Sequence, residues 1–137
     1  MNILKDMCNL AIKARDNSYS PYSGVRVGAA LLAGSGKIYT GCNIENAAFS
    51  PTVCAERVAF FKAISEGEKE FTAIAIAGGA DEIPDREFPP CGVCRQVMSE
   101  FCNADTFKVY LVKNENEYKT LTLSELLPYG FGKENVK

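Results

Sequence analysis

The pattern of apolar and polar residues predicts a chain of mixed helices and strands. Apolar residues recur at helical spacing over 3–14, which predicts a first amphipathic helix that ends near Arg15. Apolar and polar residues then alternate over 25–31, as in a strand covered on one face. A Gly-Ser-Gly turn at 34–36 leads into a second apolar stretch over 38–42, so these two strands are expected to form a hairpin.

The second half of the chain repeats the alternation of helix and strand. Ser50-Pro51-Thr52 predicts a helix start, with Ser50 or Thr52 as the N-cap, and Gly67 ends that helix. The elements that follow are a strand over 72–77, a helix opened by Pro89-Pro90, strands over 107–112 and 119–123, and a last helix from Ser124.

The resulting order, α-β-β-α-β-α-β-β-α, predicts an α/β fold. We expect a three-layer α/β/α sandwich around a five-stranded mixed sheet. The strand–helix–strand unit over 72–112 is expected to be a right-handed parallel crossover. At 137 residues, the chain is expected to form one domain over 1–137.

Composition excludes several classes of partner. The net charge is −2 and the sequence pI is about 5.2, whereas basic nucleic-acid-binding domains have a pI above about 9. No apolar run approaches the roughly 18 residues of a membrane span. The first residues lack the features of a signal peptide, so we expect a cytoplasmic protein with neither a nucleic-acid nor a membrane partner.

Two short motifs carry the candidate chemistry in a chain without histidine. The first is Cys54-Ala55-Glu56, and the second is Pro90-Cys91-Gly92-Val93-Cys94. Structural zinc sites close with four Cys or His ligands, whereas catalytic zinc keeps three protein ligands and one open position. Three thiols therefore predict a catalytic zinc site, and Glu56 stands where a proton shuttle is needed.

Both motifs fall at predicted helix starts, where unpaired N–H groups and the helix dipole favour a thiolate. We expect the two helix ends to converge on one ion. Three thiolates and Zn²⁺ sum to −1, a charge that opposes acidification of bound water. Arg57 is a candidate to offset one thiolate by hydrogen bonding; a solvent-facing helix arginine is the alternative.

Two rival interpretations of the cysteines belong to other classes of protein. A structural zinc module would need a fourth ligand, and Cys42 or Cys102 are the thiol candidates. A redox site would use Cys91 and Cys94 as a reversible disulfide, but the thioredoxin-like βαβ context is missing. Cys8, Cys42 and Cys102 lack ligand-like spacing and are expected to pack as small hydrophobic residues.

The motifs also resemble a known family. Cys54-Ala55-Glu56-Arg57 together with Pro90-Cys91-Gly92-Val93-Cys94-Arg95-Gln96 resembles the zinc-dependent cytidine deaminases, in the small homotetrameric form whose zinc ligands are all cysteines. The resemblance implies the cytidine deaminase-like fold, one Zn²⁺ per subunit and sites shared between subunits. The likeness extends over 19–23, 27–31, 41–47 and 126–128.

The resemblance implies hydrolytic deamination of cytidine and deoxycytidine by a zinc-activated water, as in pyrimidine salvage. Glu56 would take the water proton and deliver it to the base and the leaving amine. The backbone N–H of Ala55 would donate to the pyrimidine 2-keto oxygen. Asn43 and Glu45 would hold the ribose 3′-hydroxyl, and Phe131 would stack on the base in a neighbouring subunit's pocket.

Some of these assignments have alternatives. Without the resemblance, Asn43 and Glu45 are ordinary loop polar residues, and Phe131 packs on its own core. Gln96 is expected to tune the thiolates as a hydrogen-bond donor, with solvent exposure as the alternative. Val25 replaces an aromatic pocket residue common in the family, and Phe49 replaces a tyrosine. A related deaminase of a cytosine-containing antibiotic or modified nucleoside is the nearest alternative function.

Overall fold

Over the described residues, the chain forms four α-helices and five strands. The structure, a computed structural model, describes residues 2–80, 84 and 86–136. The predicted order of helices and strands is confirmed, and short 3₁₀ turns follow at Arg15–Asn17 and Lys133–Asn135. The elements are α1 (Ile3–Ala14), β1 (Arg26–Ala33), β2 (Ile38–Cys42), α2 (Ala55–Ser65), β3 (Phe71–Gly79), α3 (Gly92–Phe101), β4 (Lys108–Asn114), β5 (Glu117–Thr122) and α4 (Leu123–Leu126).

The five strands form one mixed sheet in the order β2-β1-β3-β4-β5. β3 and β4 are parallel, with Ala73 opposite Lys108 and Ile76 opposite Leu111. The other neighbouring pairs are antiparallel. Because α3 connects the two parallel strands, the predicted parallel strand–helix–strand unit is confirmed.

The two faces of the sheet carry side chains of different size. In β3, Ala73, Ala75 and Ala77 pack in the cluster under α1, whereas Ile74 and Ile76 pack in the cluster under α2 and α3. This is the period-2 alternation of a strand that is covered on both faces. The predicted three-layer α/β/α sandwich is therefore confirmed.

The predicted start of the second helix at 50–52 is wrong. The helix begins at Ala55, with Cys54 as its N-cap residue. Val53 and Ile44 instead exchange two backbone hydrogen bonds of 3.0 Å in an isolated antiparallel bridge. This pairing keeps the backbone extended as far as Cys54, so the thiol is carried on the first turn of the helix.

The third helix also begins later than predicted. It starts at Gly92, and Cys91 is its N-cap with an extended backbone (φ −69°, ψ 168°). A residue before proline is disfavoured in the helical conformation, and Phe88 and Pro89 both precede a proline. The diproline therefore forms the extended approach to the helix, and the helix itself starts after the first thiol.

Close contact between β2 and α2 depends on Gly41. A Cβ added at this position would collide with the carbonyl oxygen of Ala55 and would lie 2.7 Å from the backbone nitrogen of Ala59. The helix backbone therefore lies directly against the strand. Since α2 begins at Ala55, this contact sets the position of the helix start relative to the sheet.

A buried arginine joins the ends of two strands. Arg15 is 1% exposed; its Nε donates to the carbonyl of Arg26 at 3.1 Å and its Nη2 to the carbonyl of Gly79 at 3.0 Å. These bonds hold the start of β1 beside the carboxyl end of β3. The loop that leads to the second thiol motif departs from that end.

Candidate active site

Three thiols from two helix starts meet at one point. Cys54 and Cys91 are the N-caps of α2 and α3, and Cys94 lies in the first turn of α3. All three Sγ atoms lie within 4.8 Å of one another. Cys91 Sγ is 3.6 Å from Cys54 Sγ and 3.5 Å from Cys94 Sγ. The predicted convergence of two helix N-termini is confirmed.

The spacing of these sulfurs suits a zinc ion. Thiolates at 2.3 Å from a tetrahedral zinc lie about 3.8 Å from one another. The two sulfur–sulfur distances of 3.5 and 3.6 Å are slightly shorter than this value. They are far longer than the roughly 2.05 Å of a disulfide. Cys54, Cys91 and Cys94 therefore fit three corners of a zinc tetrahedron.

No fourth protein ligand completes the tetrahedron in the described part of the chain. The group of candidate ligands there contains Cys54, Cys91 and Cys94 alone. Cys42 and Cys102, the thiols that a structural zinc module would need, lie outside the group. A site with three protein ligands leaves one position for water or substrate, as in catalytic zinc sites.

The other three cysteines are free thiols held in apolar surroundings. Cys8 is buried, and Cys42 and Cys102 are half-buried. Burial raises the pKa of Cys8 to about 11 and that of Cys102 to about 12, and it also raises the pKa of Cys42. These thiols are therefore protonated near neutral pH, and Cys8 and Cys102 pack in the two core clusters as small hydrophobic groups.

Arg57 brings positive charge to the sulfur cluster. Its Nη2 donates to Cys54 Sγ at 3.4 Å. Hydrogen bonds from the Cys94 thiol and from Arg57 hold the pKa of Cys54 at about 5, and the ionised Cys54 in turn raises the pKa of Cys94. Arg57 thus places a positive charge beside one thiol of a cluster that would carry a charge of −1 as three thiolates with Zn²⁺.

Glu56 is a buried carboxyl beside the metal ligands. It lies in the first turn of α2 and is 3% exposed. Burial raises the pKa of Glu56 to about 7. A carboxyl with a pKa near neutral can both accept and release a proton under working conditions.

Two of the thiols and Glu56 line one cavity of about 300 Å³, a volume at the lower end of small-molecule sites. The lining includes Cys54, Cys91 and Glu56, so two candidate metal ligands and the candidate proton shuttle border the same cavity. The remaining lining residues are Ser23, Val25, Val27, Asn43, Glu45, Thr52, Val53, Phe88 and Pro89.

Asn43 lies in the wall of this cavity and is held by β1. Its Oδ1 accepts the N–H of Val27 at 2.9 Å, and its Nδ2 donates to the carbonyl of Val25 at 2.8 Å. A primary amide has two N–H groups and two acceptor lone pairs. One donor and one acceptor therefore remain for a ligand, in an orientation that the strand determines.

Glu45 is held by the loop before β1. Its carboxylate accepts the backbone N–H groups of Tyr22 and Ser23, at 2.9 and 3.1 Å, and the Ser23 hydroxyl. These bonds, led by that of the Ser23 hydroxyl, lower the pKa of Glu45. Glu45 is thus an ionised acceptor in the cavity wall, and the sequence interpretation missed the loop residues that orient it.

The remaining predicted site residues lie at other places around the cluster. Ala55 is buried and is the first residue of α2, so its N–H has no acceptor within the helix. Phe131 is 59% exposed and is not among the described residues that line the cavity. Gln96 is exposed, and its Nε2 donates to the carbonyl of Phe131 at 2.8 Å, which places this amide at the C-terminal segment.

Comparison with known proteins agrees with this geometry. Residues 1–111 match the family model of the cytidine and deoxycytidylate deaminase zinc-binding region. The chain is 51% identical to the cytidine deaminase of Sporosarcina psychrophila, over 90% of this chain and 88% of the relative. The chain belongs to the cytidine deaminase family. The sequence of the Halalkalibacterium halodurans cytidine deaminase is 50% identical, over 92% of both chains.

The fold agrees with a crystal structure from the same family. The cytidine deaminase of Burkholderia pseudomallei matches with a TM-score of 0.82 and 39% identity, over 92% of this chain and 97% of that one. As a member of a zinc-binding deaminase family, the protein is an enzyme, and its cluster of Cys54, Cys91 and Cys94 fits a zinc site. The resemblance predicted from the two motifs is confirmed.

The helices of this family member were also compared with the length of a bilayer. None of the helices within 2–80 and 86–136 is both long enough and apolar enough to cross a membrane.

Proposed function

We propose that this protein hydrolyses cytidine and deoxycytidine to uridine or deoxyuridine and ammonia. The observation that carries the proposal is the buried Glu56 carboxyl beside a three-thiol zinc site with an open position, in one cavity. When bound, Zn²⁺ supplies Lewis-acid chemistry and lowers the pKa of water toward neutrality.

Glu56 moves the protons in this proposal. A water oxygen bonds to C4 of the cytosine ring, and the C4–N4 bond then breaks to release ammonia. The carboxylate takes a proton from the water, gives it to ring N3, and later assists protonation of the leaving amine. Its pKa of about 7 suits both directions of transfer. Such general acid–base catalysis contributes roughly 10²–10⁴-fold.

Polar groups around the cavity orient the nucleoside. The N–H of Ala55, which has no acceptor within its own helix, donates to the 2-keto oxygen, and the remaining donor of Asn43 and the ionised Glu45 bind the ribose 3′-hydroxyl. Among the described residues that line the cavity there is no Lys or Arg. A nucleotide phosphate would lack a cationic partner there, so a nucleoside is the better fit.

We also propose that sites are shared within a homotetramer. Phe131 is exposed and does not line its own chain's cavity, which agrees with a ring that stacks on the base in a neighbouring subunit. Gln96 and Arg95, next to the ligand Cys94, hold the C-terminal segment by donating to the carbonyls of Phe131 and Leu126. Gln96 thus supports Phe131 in this proposal, rather than tuning the thiolates.

We further propose that residues 1–137 act as one catalytic domain in a reducing compartment, the cytoplasm, in pyrimidine salvage. All six cysteines lie within the described residues and are free, and a zinc site built from thiolates requires reduced ligands. Both core clusters pack on one sheet, which supports a single domain.

The direct test is the absorbance change when cytidine is converted to uridine by the purified zinc-loaded protein. Deoxycytidine, cytidine monophosphate and a cytosine-containing antibiotic should be assayed in parallel. We expect turnover of both nucleosides and little turnover of the nucleotide. Zinc at one ion per chain without turnover of any nucleoside would contradict the proposal.

Loss of one thiol should remove the metal. We expect Cys94→Ala to lower zinc affinity by more than about 100-fold, because even changes behind the ligands cost roughly 10–100-fold. Zinc per chain, measured after dialysis against a chelator, should fall toward zero, and activity should fall with it. Cys102→Ala is the matched control and should keep its zinc. Stoichiometric zinc in Cys94→Ala would refute the ligand assignment.

Arg57 should affect the pH dependence of the activity, although it does not bind the metal. We expect Arg57→Ala to retain zinc and to reach half-maximal activity at a higher pH, because the site then carries one more uncompensated negative charge. Arg57→Lys keeps a positive charge and should shift the profile less. The measurement is kcat against pH together with zinc content. An unchanged profile in Arg57→Ala would exclude a role in charge compensation.

A further inference from the structure

One aromatic side chain lines the described part of the active-site cavity. This is Phe88, in the segment that leads into α3. The other apolar lining residues, Val25, Val27, Val53 and Pro89, are aliphatic. A planar base that enters this cavity therefore meets a single aromatic side chain from its own chain within the described lining.

The Phe88 ring lies against the backbone of β3 at Gly78. A Cβ added at Gly78 would lie 2.5 Å from Cγ of Phe88 and 2.8 Å from each Cδ atom. Since real Cβ atoms do not come so close, only glycine lets the ring lie against the backbone of β3. Phe88 is half-buried and packs against the same core cluster as Val25 and Cys54. The ring is thus supported from behind by β3.

The segment between this ring and the first α3 ligand is stiff. Pro89 and Pro90 separate Phe88 from Cys91, and each proline locks its own φ near −65°. The carbonyl of Pro90 also accepts the Nε of Arg95 at 2.8 Å. Any movement of the Phe88 backbone is therefore coupled to the metal ligand Cys91. Phe88 is consequently linked by a short, restricted segment to the start of α3, which carries Cys91 and Cys94.

We propose that Phe88 is a substrate-binding residue that forms the aromatic wall for the pyrimidine base. Every nucleobase has a π-face, and stacking on an aromatic side chain strengthens binding by about 5- to 150-fold per base. The inference rests on the proposed function, because it takes the base of a pyrimidine nucleoside as the occupant of this cavity.

The test separates stacking from packing. Phe88→Leu keeps most of the volume against Gly78 and removes the π-face, whereas Phe88→Tyr keeps the face. We expect Phe88→Leu to raise KM for cytidine by roughly 5- to 150-fold. We expect its kcat, zinc content and melting temperature to change little, and Phe88→Tyr to restore KM to within about threefold of wild type. Phe61→Leu is the control for the same substitution on an exposed ring of α2.

Binding of uridine to the zinc-loaded variants, followed by calorimetry, gives a readout that does not need turnover. A Kd raised in parallel with KM supports the inference. If wild type deaminates cytidine and Phe88→Leu has the wild-type KM and Kd, the inference is overturned while the proposed function stands. If Phe88→Leu is unstable, the KM of Phe88→Tyr should be compared with the KM of Phe88→Met. Equal KM values for these two variants overturn the inference. Wild type without any turnover would instead refute the proposed function.

Discussion

Glu56→Gln is expected to lower kcat for cytidine by about 10²–10⁴-fold. Glutamine has nearly the same shape as glutamate, so the first turn of α2 should keep its packing. Glutamine has no oxygen that can accept and release a proton at neutral pH. The variant therefore cannot transfer protons from the water to the base and to the leaving amine. The measurement is the absorbance change of cytidine at saturating concentration, with zinc determined on the same samples.

The matched control for this prediction lies at the other end of the same helix. Glu66 is the C-cap of α2 and is exposed, with its carboxylate in an ion pair with Lys37. Glu66→Gln makes the same chemical change and should leave kcat within about twofold, because exposed ion pairs contribute little. Zinc should remain at one ion per chain in both variants. Normal turnover by Glu56→Gln would show that another group carries the proton.

The sequence predicted those parts of the site whose residues lie only a few positions apart in the chain. Cys91 and Cys94 are three residues apart at the start of α3, so they share one side of the helix wherever it is placed, and Cys54 and Glu56 both lie at the start of α2. The absence of histidine left three thiols as the candidate ligands. The two pairs meet because β2, β1 and β3 bring both helix starts to one end of the sheet, a consequence of strand order that local spacing does not contain.

The fold class was predictable for a similar reason. The alternation of alanine and isoleucine in β3 already marks a strand with a helix on each face. The start of α2 was misplaced because a residue outside the capping pattern decides it. Val53 is held extended by its bridge to Ile44, an interaction that no capping pattern at 50–52 reveals.

Interactions between a side chain and a remote backbone carbonyl were the least predictable. Gln96 follows a metal ligand directly and was expected at the thiolates, but its amide binds the carbonyl of Phe131. Arg15, directly after the last residue of α1, is buried and binds the carbonyls of Arg26 and Gly79, which no pattern in the sequence indicates. Every residue has a backbone carbonyl, so the residue type does not indicate which carbonyl a side chain will bind. Such partners can be identified only when the positions of the strands are known.

Gly41 links the stability of the fold to the geometry of the site, and Gly41→Ala should impair both. The added Cβ would collide with the carbonyl of Ala55 and would come 2.7 Å from the nitrogen of Ala59 and 3.1 Å from Cβ of Val58. Two of these atoms belong to the helix backbone and cannot rotate away, so α2 must move off the sheet. Forcing extra volume into a packed core costs about 1–3 kcal/mol. For a chain of this size, we expect the melting temperature to fall by roughly 3–10 °C.

The same displacement should lower activity beyond the loss of folded protein. The start of α2 carries Cys54 and Glu56, and a misplacement of about 1 Å in a catalytic site can cost roughly 10²-fold in rate. We therefore expect kcat of Gly41→Ala to fall by about 10–10²-fold at temperatures where circular dichroism shows it fully folded. Gly132→Ala is the control, because a Cβ there meets nothing within 4 Å and its φ of −142° suits alanine. If Gly41→Ala melts and turns over like wild type, the contact between β2 and α2 does not set the position of the catalytic helix.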